Sequence, residues 1–247
     1  MLSKKILFLI TAENEIKALT QFGKKFKEKY DVQMDVIYVK DVLKYEIFPV
    51  AVEGIGVNVG MNYFVKEYKD QEEKTFQKIK KQMDSSFEKV YAKEGETDEV
   101  ALEELKKYDA LVLVKNEKVS PVLKELLRSN YKPLIILPNV EEFEMENILL
   151  LDDGAYNANK TLFTFLYMFG EQKINVLRVN SEIEKEEDEK FLEEIFSDIL
   201  VEIERHKFNT VAVDVTRLSN SYSSKHSEIL KKFLRYVSDD VVVFMCK

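Results

Sequence analysis

Short apolar runs alternate along this chain with longer segments of helical periodicity, and this alternation restricts the fold more than any other feature of the sequence. Three of the runs are "KKILFLIT" (4–11), "DALVLVK" (109–115) and "KPLIILPN" (132–139). Apolar strands separated by helical segments are typical of a parallel sheet with helices packed on its faces. The sequence therefore predicts an α/β fold with five strands and four helices up to about residue 139.

The same pattern starts again near Asn147. The stretch "ENILLLDDG" (146–154) predicts a new first strand, and the helix after it carries Leu162, Phe165 and Phe169 on one side. The later runs "KINVLRVN", "TVAVDVT" and "DVVVFMC" predict three more strands, one strand and one helix fewer than before. We therefore predict two α/β units in tandem, residues 1–142 and an abbreviated unit of residues 143–247.

A long irregular stretch, "YEIFPVAVEGIGVNVGMN" (45–62), follows the second predicted strand, and a helix carrying Phe76, Ile79, Met83 and Phe87 comes next. Its glycines are not a dinucleotide fingerprint, because that motif belongs in the first strand-to-helix turn. The stretch leaves the carboxyl end of a strand, where open α/β sheets bind ligands. Three interpretations of the stretch therefore remain open: it is a lid over a ligand site, a dimer contact or an extra packed hairpin. The lid or interface residues are Phe48, Val50, Val52, Gly54 and Gly56.

Composition excludes several function classes. Net charge is -8, which argues against nucleic-acid binding because such proteins need a basic surface. The opening apolar run is too short to span a membrane and has no signal-peptide cleavage site. The single Cys246 fits a reducing compartment, so we expect a cytoplasmic protein in which this residue is buried in a strand. His206 and His226 are too few and too isolated for a metal site, and no catalytic residues stand out.

The order of these elements resembles the universal stress protein family. The opening "KKILFLITAENEIKALTQFGKKF", the closing "YKPLIILPN" of the first unit and the Asp-Gly that ends the first strand of the second unit carry this resemblance. It implies a doubly wound parallel sheet of the adenine-nucleotide α-hydrolase-like type in each unit. It also implies that the two units pair about a pseudo-twofold axis, as separate chains do in the dimers of the family.

Nucleotide-binding members of the family have an aspartate at the end of the first strand and a glycine-rich phosphate loop after the fourth. In the first unit Thr11 replaces the aspartate and the loop "KNEKVSPVLKE" has no glycine, so we expect the ATP site to be lost. The second unit keeps the aspartate and offers a serine-rich loop, which is either a remnant site for ATP or AMP with magnesium or an ordinary helix cap. The candidate ligand-binding residues are Asp153, Gly154, Val179, Thr216, Ser219, Ser223 and Ser224.

These observations favour a non-enzymatic regulatory or protective protein of the universal stress type that binds a ligand or a protein partner, including a second copy of itself. The first alternative is an adenine-nucleotide-binding protein, with or without slow ATP hydrolysis, that uses the remnant site of the second unit. The second is a structural interaction module that docks through residues 45–62.

Overall fold

The structure is a computed structural model, and its description covers most of the chain. The described residues are 4–41, 57–83, 85–116, 120–142, 144–152, 156–178, 189–214, 234, 237 and 240–246. The candidate lid residues Phe48, Val50, Val52, Gly54 and Gly56 lie outside this part of the chain. Their proposed role therefore stays a prediction.

The first half of the chain forms five strands and four helices within the described residues, as its pattern predicts. The strands are β1 (Lys4–Ile10), β2 (Val32–Asp41), β3 (Lys89–Gly95), β4 (Ala110–Lys115) and β5 (Leu134–Pro138). The helices are α1 (Ile16–Lys29), α2 (Val57–Met83), α3 (Thr97–Leu105) and α4 (Pro121–Ser129), and a single 3-10 turn (Glu13–Glu15) precedes α1. Pro121 occupies the first turn of α4, and Ser120 caps this helix by accepting a hydrogen bond from the backbone N–H of Leu123.

The second half repeats the pattern in shorter form. Its described strands are β6 (Ile148–Asp152), β7 (Ile174–Arg178), β8 (Thr210–Asp214) and β9 (Val242–Cys246), and its helices are α5 (Tyr156–Phe169) and α6 (Glu189–His206). The strand order is 3-2-1-4-5 in the first half and, counting strands within the second half, 2-1-3-4. In both halves the strand order reverses next to the first strand. The second half therefore has the doubly wound topology, but its described strands include no counterpart of β3. The proposed boundary near residue 142 stays a prediction.

One feature of the sheet differs from the sequence-based expectation. We expected a sheet for each unit, but the two halves form one nine-stranded sheet within the described residues, because β5 and β9 pair edge to edge. This pairing is antiparallel, whereas all other strand pairs are parallel. Antiparallel pairing of the last strands of two related units is the arrangement that a local two-fold axis produces. The repeat and the continuous sheet therefore coexist.

Apolar side chains cover both faces of this sheet. Alternate residues of β1 point to opposite faces, so that Phe8 lies on the face covered by α1, α2 and α5, and Leu9 on the face covered by α3, α4 and α6. Strands that are buried on both sides read as continuous apolar runs, which explains the sequence pattern. Helices α1 and α5 meet across the junction, where the rings of Phe26 and Phe169 pack edge to face with centroids 5.5 Å apart.

The bounds of helix α2 differ from the sequence-based expectation at both ends. It begins at Val57, so Gly60 is helical and the irregular stretch predicted to reach Asn62 is wrong over its last residues. No proline interrupts residues 57–83, and a long helix tolerates the cost of one glycine, about 1 kcal/mol. The helix also ends at Met83, so that Phe87 belongs to the turn before β3 and packs against Phe8 with ring centroids 4.9 Å apart.

Candidate functional site

Doubly wound sheets bind ligands at the carboxyl ends of the strands where the strand order reverses. In the first unit the reversal lies between β1 and β4, and in the second between β6 and β8. These two crevices are therefore the places where a ligand site of this fold is expected.

The first crevice contains the carboxylate of Glu15. After β1 the chain enters the 3-10 turn, and the Glu15 side chain folds back onto the strand end, where it is only 1% exposed. The backbone N–H groups of Thr11 and Ala12 donate to Oε2 at 2.7 and 3.3 Å. The Thr11 hydroxyl and Nδ2 of Asn116 donate to Oε1 at 2.7 and 2.8 Å. A buried carboxylate is stable here because four donors surround it.

The opposite side of this crevice comes from the loops that follow β4 and β5. Asn116 is the first residue after β4, and its Oδ1 accepts a hydrogen bond from Nδ2 of Asn139, at 2.9 Å. These contacts fix the amide of Asn116 so that its nitrogen faces Glu15. The two asparagines thus hold the carboxylate in place from the side of β4 and β5.

Little space remains in the first crevice. The cavity lined by Leu9, Thr11, Glu15, Asn116 and Ser120, among others, has a volume of about 10 Å³. A single water molecule needs roughly 10–15 Å³, and cofactor sites have volumes of about 300–1,000 Å³. The cavity bounded by these described residues is therefore much smaller than a nucleotide site.

A buried lysine stands beside the crevice but points elsewhere. Lys115 is the last residue of β4, and its ammonium group donates to the backbone carbonyl of Val237 at 2.8 Å. Val237 belongs to the second half of the chain, so this cation links the two units on the α4 face of the sheet. A phosphate in the first crevice would not find this ammonium group facing it.

At the second crevice the structure describes the strand ends. Asp152 ends β6 and Arg178 ends β7, and Nη2 of Arg178 lies 3.5 Å from Oδ2 of Asp152. The arginine is mostly exposed, so solvent screens this pair and it contributes little. The candidate ligand-binding residues Asp153, Gly154, Val179, Thr216, Ser219, Ser223 and Ser224 all lie outside the described residues. The remnant nucleotide site therefore stays a prediction.

A further cavity lies between α1 and α5 at the junction of the units. Its volume is about 220 Å³, and aromatic side chains line it. The Tyr30 hydroxyl at its edge donates to the backbone carbonyl of Phe169 at 2.5 Å and accepts a hydrogen bond from Nε2 of Gln172 at 3.2 Å. Lys25, Lys29, Glu144 and Glu146 also line this cavity, so its surface combines aromatic rings with charges of both signs. Its volume is below the range of about 300–1,000 Å³ that is usual for cofactor sites.

Other residues singled out by the sequence have ordinary surroundings. Cys246 is buried in β9, as predicted, with its Sγ 3.8 Å from Oγ1 of Thr164. His206 is exposed and lies 3.2 Å from a carboxylate oxygen of Glu202, while His226 is outside the described residues. Within the described part of the chain, no group of three or more His, Cys, Asp or Glu side chains could hold a metal ion. None of the described helices is long and apolar enough to cross a membrane.

The sequence analysis missed Glu15, Asn116 and Asn139. The sequence pattern gives only the absence of the aspartate and glycines of a nucleotide site at this crevice. A glutamate three residues after Ala12 was the available signal, because this spacing is the one that lets an acidic side chain reach back to the backbone at the start of a helix.

Taken together, the fold is a doubly wound α/β fold made of two related units, and the buried Glu15 side chain lies in the switch-point crevice of the first unit. No protein-family model matches the chain, and no curated protein matches it. Solved structures do match. A universal stress protein from Archaeoglobus fulgidus DSM 4304 is similar over 98% of this chain and 96% of its own, with 16% identity and a TM-score of 0.65.

A protein of unknown function from Pseudomonas aeruginosa PAO1 is similar over all of this chain and 93% of its own, with 8% identity and a TM-score of 0.55. At these identities the likeness concerns the fold. The chain therefore has the fold of a universal stress protein over nearly its whole length, which confirms the fold class predicted from the sequence.

Proposed function

We propose that this chain is a cytoplasmic protein of the universal stress type that regulates or protects by binding a partner or a small ligand, without catalysis, and that its first unit has lost the ATP site. The carboxylate of Glu15 is the single observation that carries this proposal. It occupies the crevice of the first unit and accepts the hydrogen bonds that backbone amides there could give to a ligand anion.

Electrostatics support the loss of the site. A buried carboxylate repels the phosphates of ATP, and the buried ammonium group of Lys115 donates to the backbone carbonyl of Val237. Displacing Glu15 would leave four donors without their acceptor. A nucleotide would have to replace all of these hydrogen bonds before it gained any net affinity.

The absence of catalysis is supported by the chemistry of the described crevice. Its polar groups include a carboxylate with four donors, two amides and the hydroxyls of Thr11 and Ser120. Thr11 donates to Glu15, and the Ser120 hydroxyl accepts a hydrogen bond from the backbone N–H of Leu123. A serine or cysteine nucleophile paired with a general base is not among these groups. The junction cavity offers a place for a small ligand instead.

Nucleotide binding to the intact chain tests this proposal. We expect no change in melting temperature, and no phosphate release, when ATP or AMP is added with magnesium. A ligand at a hundred times its Kd would stabilise the fold by about 2.7 kcal/mol, which is readily measured. The matched variant is Asp153→Ala, which removes the aspartate expected at the second site.

Three outcomes would contradict parts of the proposal. Saturable stabilisation that persists in Asp153→Ala would show that the first unit still binds a nucleotide. Saturable stabilisation that Asp153→Ala abolishes would instead favour the adenine-nucleotide-binding alternative in the second unit. Release of phosphate from ATP by the intact chain, at a rate that a site variant lowers, would overturn the non-enzymatic part.

A further inference from the structure

The cavity between α1 and α5 has an inner wall of aromatic rings to which both units contribute. Phe22 and Phe26 come from α1, and Phe165 and Phe169 come from α5. The rings of Phe22 and Phe26 stack with centroids 5.3 Å apart, and those of Phe165 and Phe169 lie 4.5 Å apart. None of the four is more than 3% exposed. Packing therefore holds these rings in place.

Helices α1 and α5 correspond to each other in the repeat. They share one spacing of apolar residues, Leu19, Phe22 and Phe26 in α1 and Leu162, Phe165 and Phe169 in α5. The aromatic wall is therefore built of equivalent residues from the two units. Protein cores contain few voids larger than a water molecule, so a space of about 220 Å³ beside such a wall calls for an occupant.

Charged side chains of both signs lie at the outer side of this cavity. Lys25 and Lys29 come from α1, and Glu144 and Glu146 come from the connection between β5 and β6. All four are exposed, in contrast to the rings. Within the described part of the chain, Lys29, Glu144 and Glu146 have no ion-pair partner. Their charges are therefore available to a ligand whose apolar part lies among the rings.

Gln172 adds a neutral acceptor to the lining of the cavity. Its Nε2 donates to the Tyr30 hydroxyl at 3.2 Å and to the backbone carbonyl of Phe169 at 3.1 Å, so two contacts fix the amide. Its Oε1 accepts no hydrogen bond from any described residue. The lining thus offers two carboxylates and an amide oxygen to a cationic group, and lysine ammonium groups to an anionic one.

We infer that this cavity binds a free amino acid whose side chain is a single aromatic ring. The ring packs among the four phenylalanines, the carboxylate of the ligand pairs with Lys29, and its ammonium group pairs with Glu146. Such a ligand matches a lining that carries apolar, positive and negative groups together. This inference rests on the ligand-binding part of the proposed function, because it names the class of small ligand.

The size of the cavity agrees with this class of ligand. A cavity of about 150 Å³ holds benzene, and the larger junction cavity has space for one ring with a short polar chain. An aromatic ring that becomes fully buried removes about 150–250 Å² of surface from water, which provides the main driving force. The two opposite charges at the outer side then select a zwitterion.

Isothermal titration calorimetry of the intact chain with L-phenylalanine tests the inference. We expect saturable binding of a single molecule per chain. Phenethylamine lacks the carboxylate and 3-phenylpropanoate lacks the ammonium group, so each should bind about tenfold more weakly. L-Glutamate should not bind, because its side chain would bring a further charge against the rings.

Two variants assign each charge of the ligand to its partner. Lys29→Met should weaken the binding of L-phenylalanine about three- to tenfold and leave that of phenethylamine unchanged. Glu146→Gln should also weaken the binding of L-phenylalanine but leave that of 3-phenylpropanoate unchanged. Lys24→Met and Glu171→Gln are the matched controls, since both residues are exposed and neither lines the cavity. Circular dichroism confirms that each variant is folded.

The inference is overturned if L-phenylalanine shows no saturable binding or if Lys24→Met weakens it as much as Lys29→Met does. It is also overturned if Lys29→Met weakens phenethylamine and L-phenylalanine alike, because a general structural defect would do this. The nucleotide titrations described above give a separate result. Binding of L-phenylalanine together with ATP would contradict only the loss of the ATP site, and binding of neither would contradict only this inference.

Discussion

Removing the carboxylate of Glu15 is the most direct perturbation of the first crevice. In Glu15→Ala the backbone N–H groups of Thr11 and Ala12, the Thr11 hydroxyl and the Asn116 amide lose their common acceptor. A hydrogen bond to a charged group contributes about 1.5–3 kcal/mol, and the variant also escapes the cost of burying a charge. We therefore expect the free energy of unfolding to fall by about 2–3 kcal/mol, well below the sum over the four bonds.

Glu15→Gln separates the charge from the shape. Oε2 of Glu15 accepts from two backbone N–H groups, so the glutamine oxygen must take this position and its NH₂ group must replace Oε1. Nδ2 of Asn116 then faces a second donor, because Asn139 holds the amide of Asn116 in its present orientation. The Thr11 hydroxyl can rotate to accept. Because only one donor is left without an acceptor, we expect the free energy of unfolding to fall by less, about 1–2 kcal/mol.

Urea unfolding followed by circular dichroism measures both variants, and a chain of this size should change its melting temperature by about 2–4 °C per kcal/mol. Glu13→Ala is the matched control, because Glu13 belongs to the same turn but is exposed and lies 3.3 Å from Lys78. Its loss should stay within about 0.5 kcal/mol. If Glu15→Ala unfolds like Glu13→Ala, the assignment of Glu15 as a buried acceptor is refuted.

Two more predictions concern the sheet faces. Burial raises the pKa of the Glu104 carboxyl, but hydrogen bonds from Lys93 and Lys107 outweigh burial and lower that pKa from 4.5 to about 2. The stabilisation from Glu104 is therefore complete above pH 4.5 and lost as the pH falls towards 2, so unfolding free energies should depend less on pH over this range in Glu104→Gln. In Gly23→Ala the new Cβ would lie 2.9 Å from Cζ of the buried Phe87 ring. This overlap should outweigh the helix propensity gain of about 1 kcal/mol and lower the melting temperature, whereas a rise would show that the ring yields easily.

The sequence predicts the strands and the repeat well for a physical reason. Strands buried on both faces must be apolar along their whole length, so runs such as those of β1 and β4 are visible without any alignment. The pairing of β5 with β9 was not visible in the same way. Nothing in two apolar runs specifies which strand lies at an edge or which edge it meets, because register and partner are set by contacts between distant parts of the chain.

The residues that fill the candidate site could not be predicted from the sequence. The missing aspartate and glycines of the first unit led to the expectation that no ATP binds there. That Glu15 folds back into the crevice depends on the 3-10 turn before α1 and on an asparagine about a hundred residues later in the chain, at Asn116. Such a juxtaposition follows from the topology of β1 and β4, which the pattern of apolar residues does not encode.

The shorter second unit is compatible with a continuous, fully hydrogen-bonded sheet. Strand β3 occupies the outer edge of the first unit, so the absence of its counterpart leaves the central strands and their hydrogen bonds intact. Within the described residues, the second unit differs from the first by one edge strand and by the helix that corresponds to α2. Leu166 shows the consequence at a single position: it corresponds to Gly23, which must stay small because Phe87 packs against it. With no counterpart of Phe87 in its described surroundings, the second unit can hold a large apolar residue there.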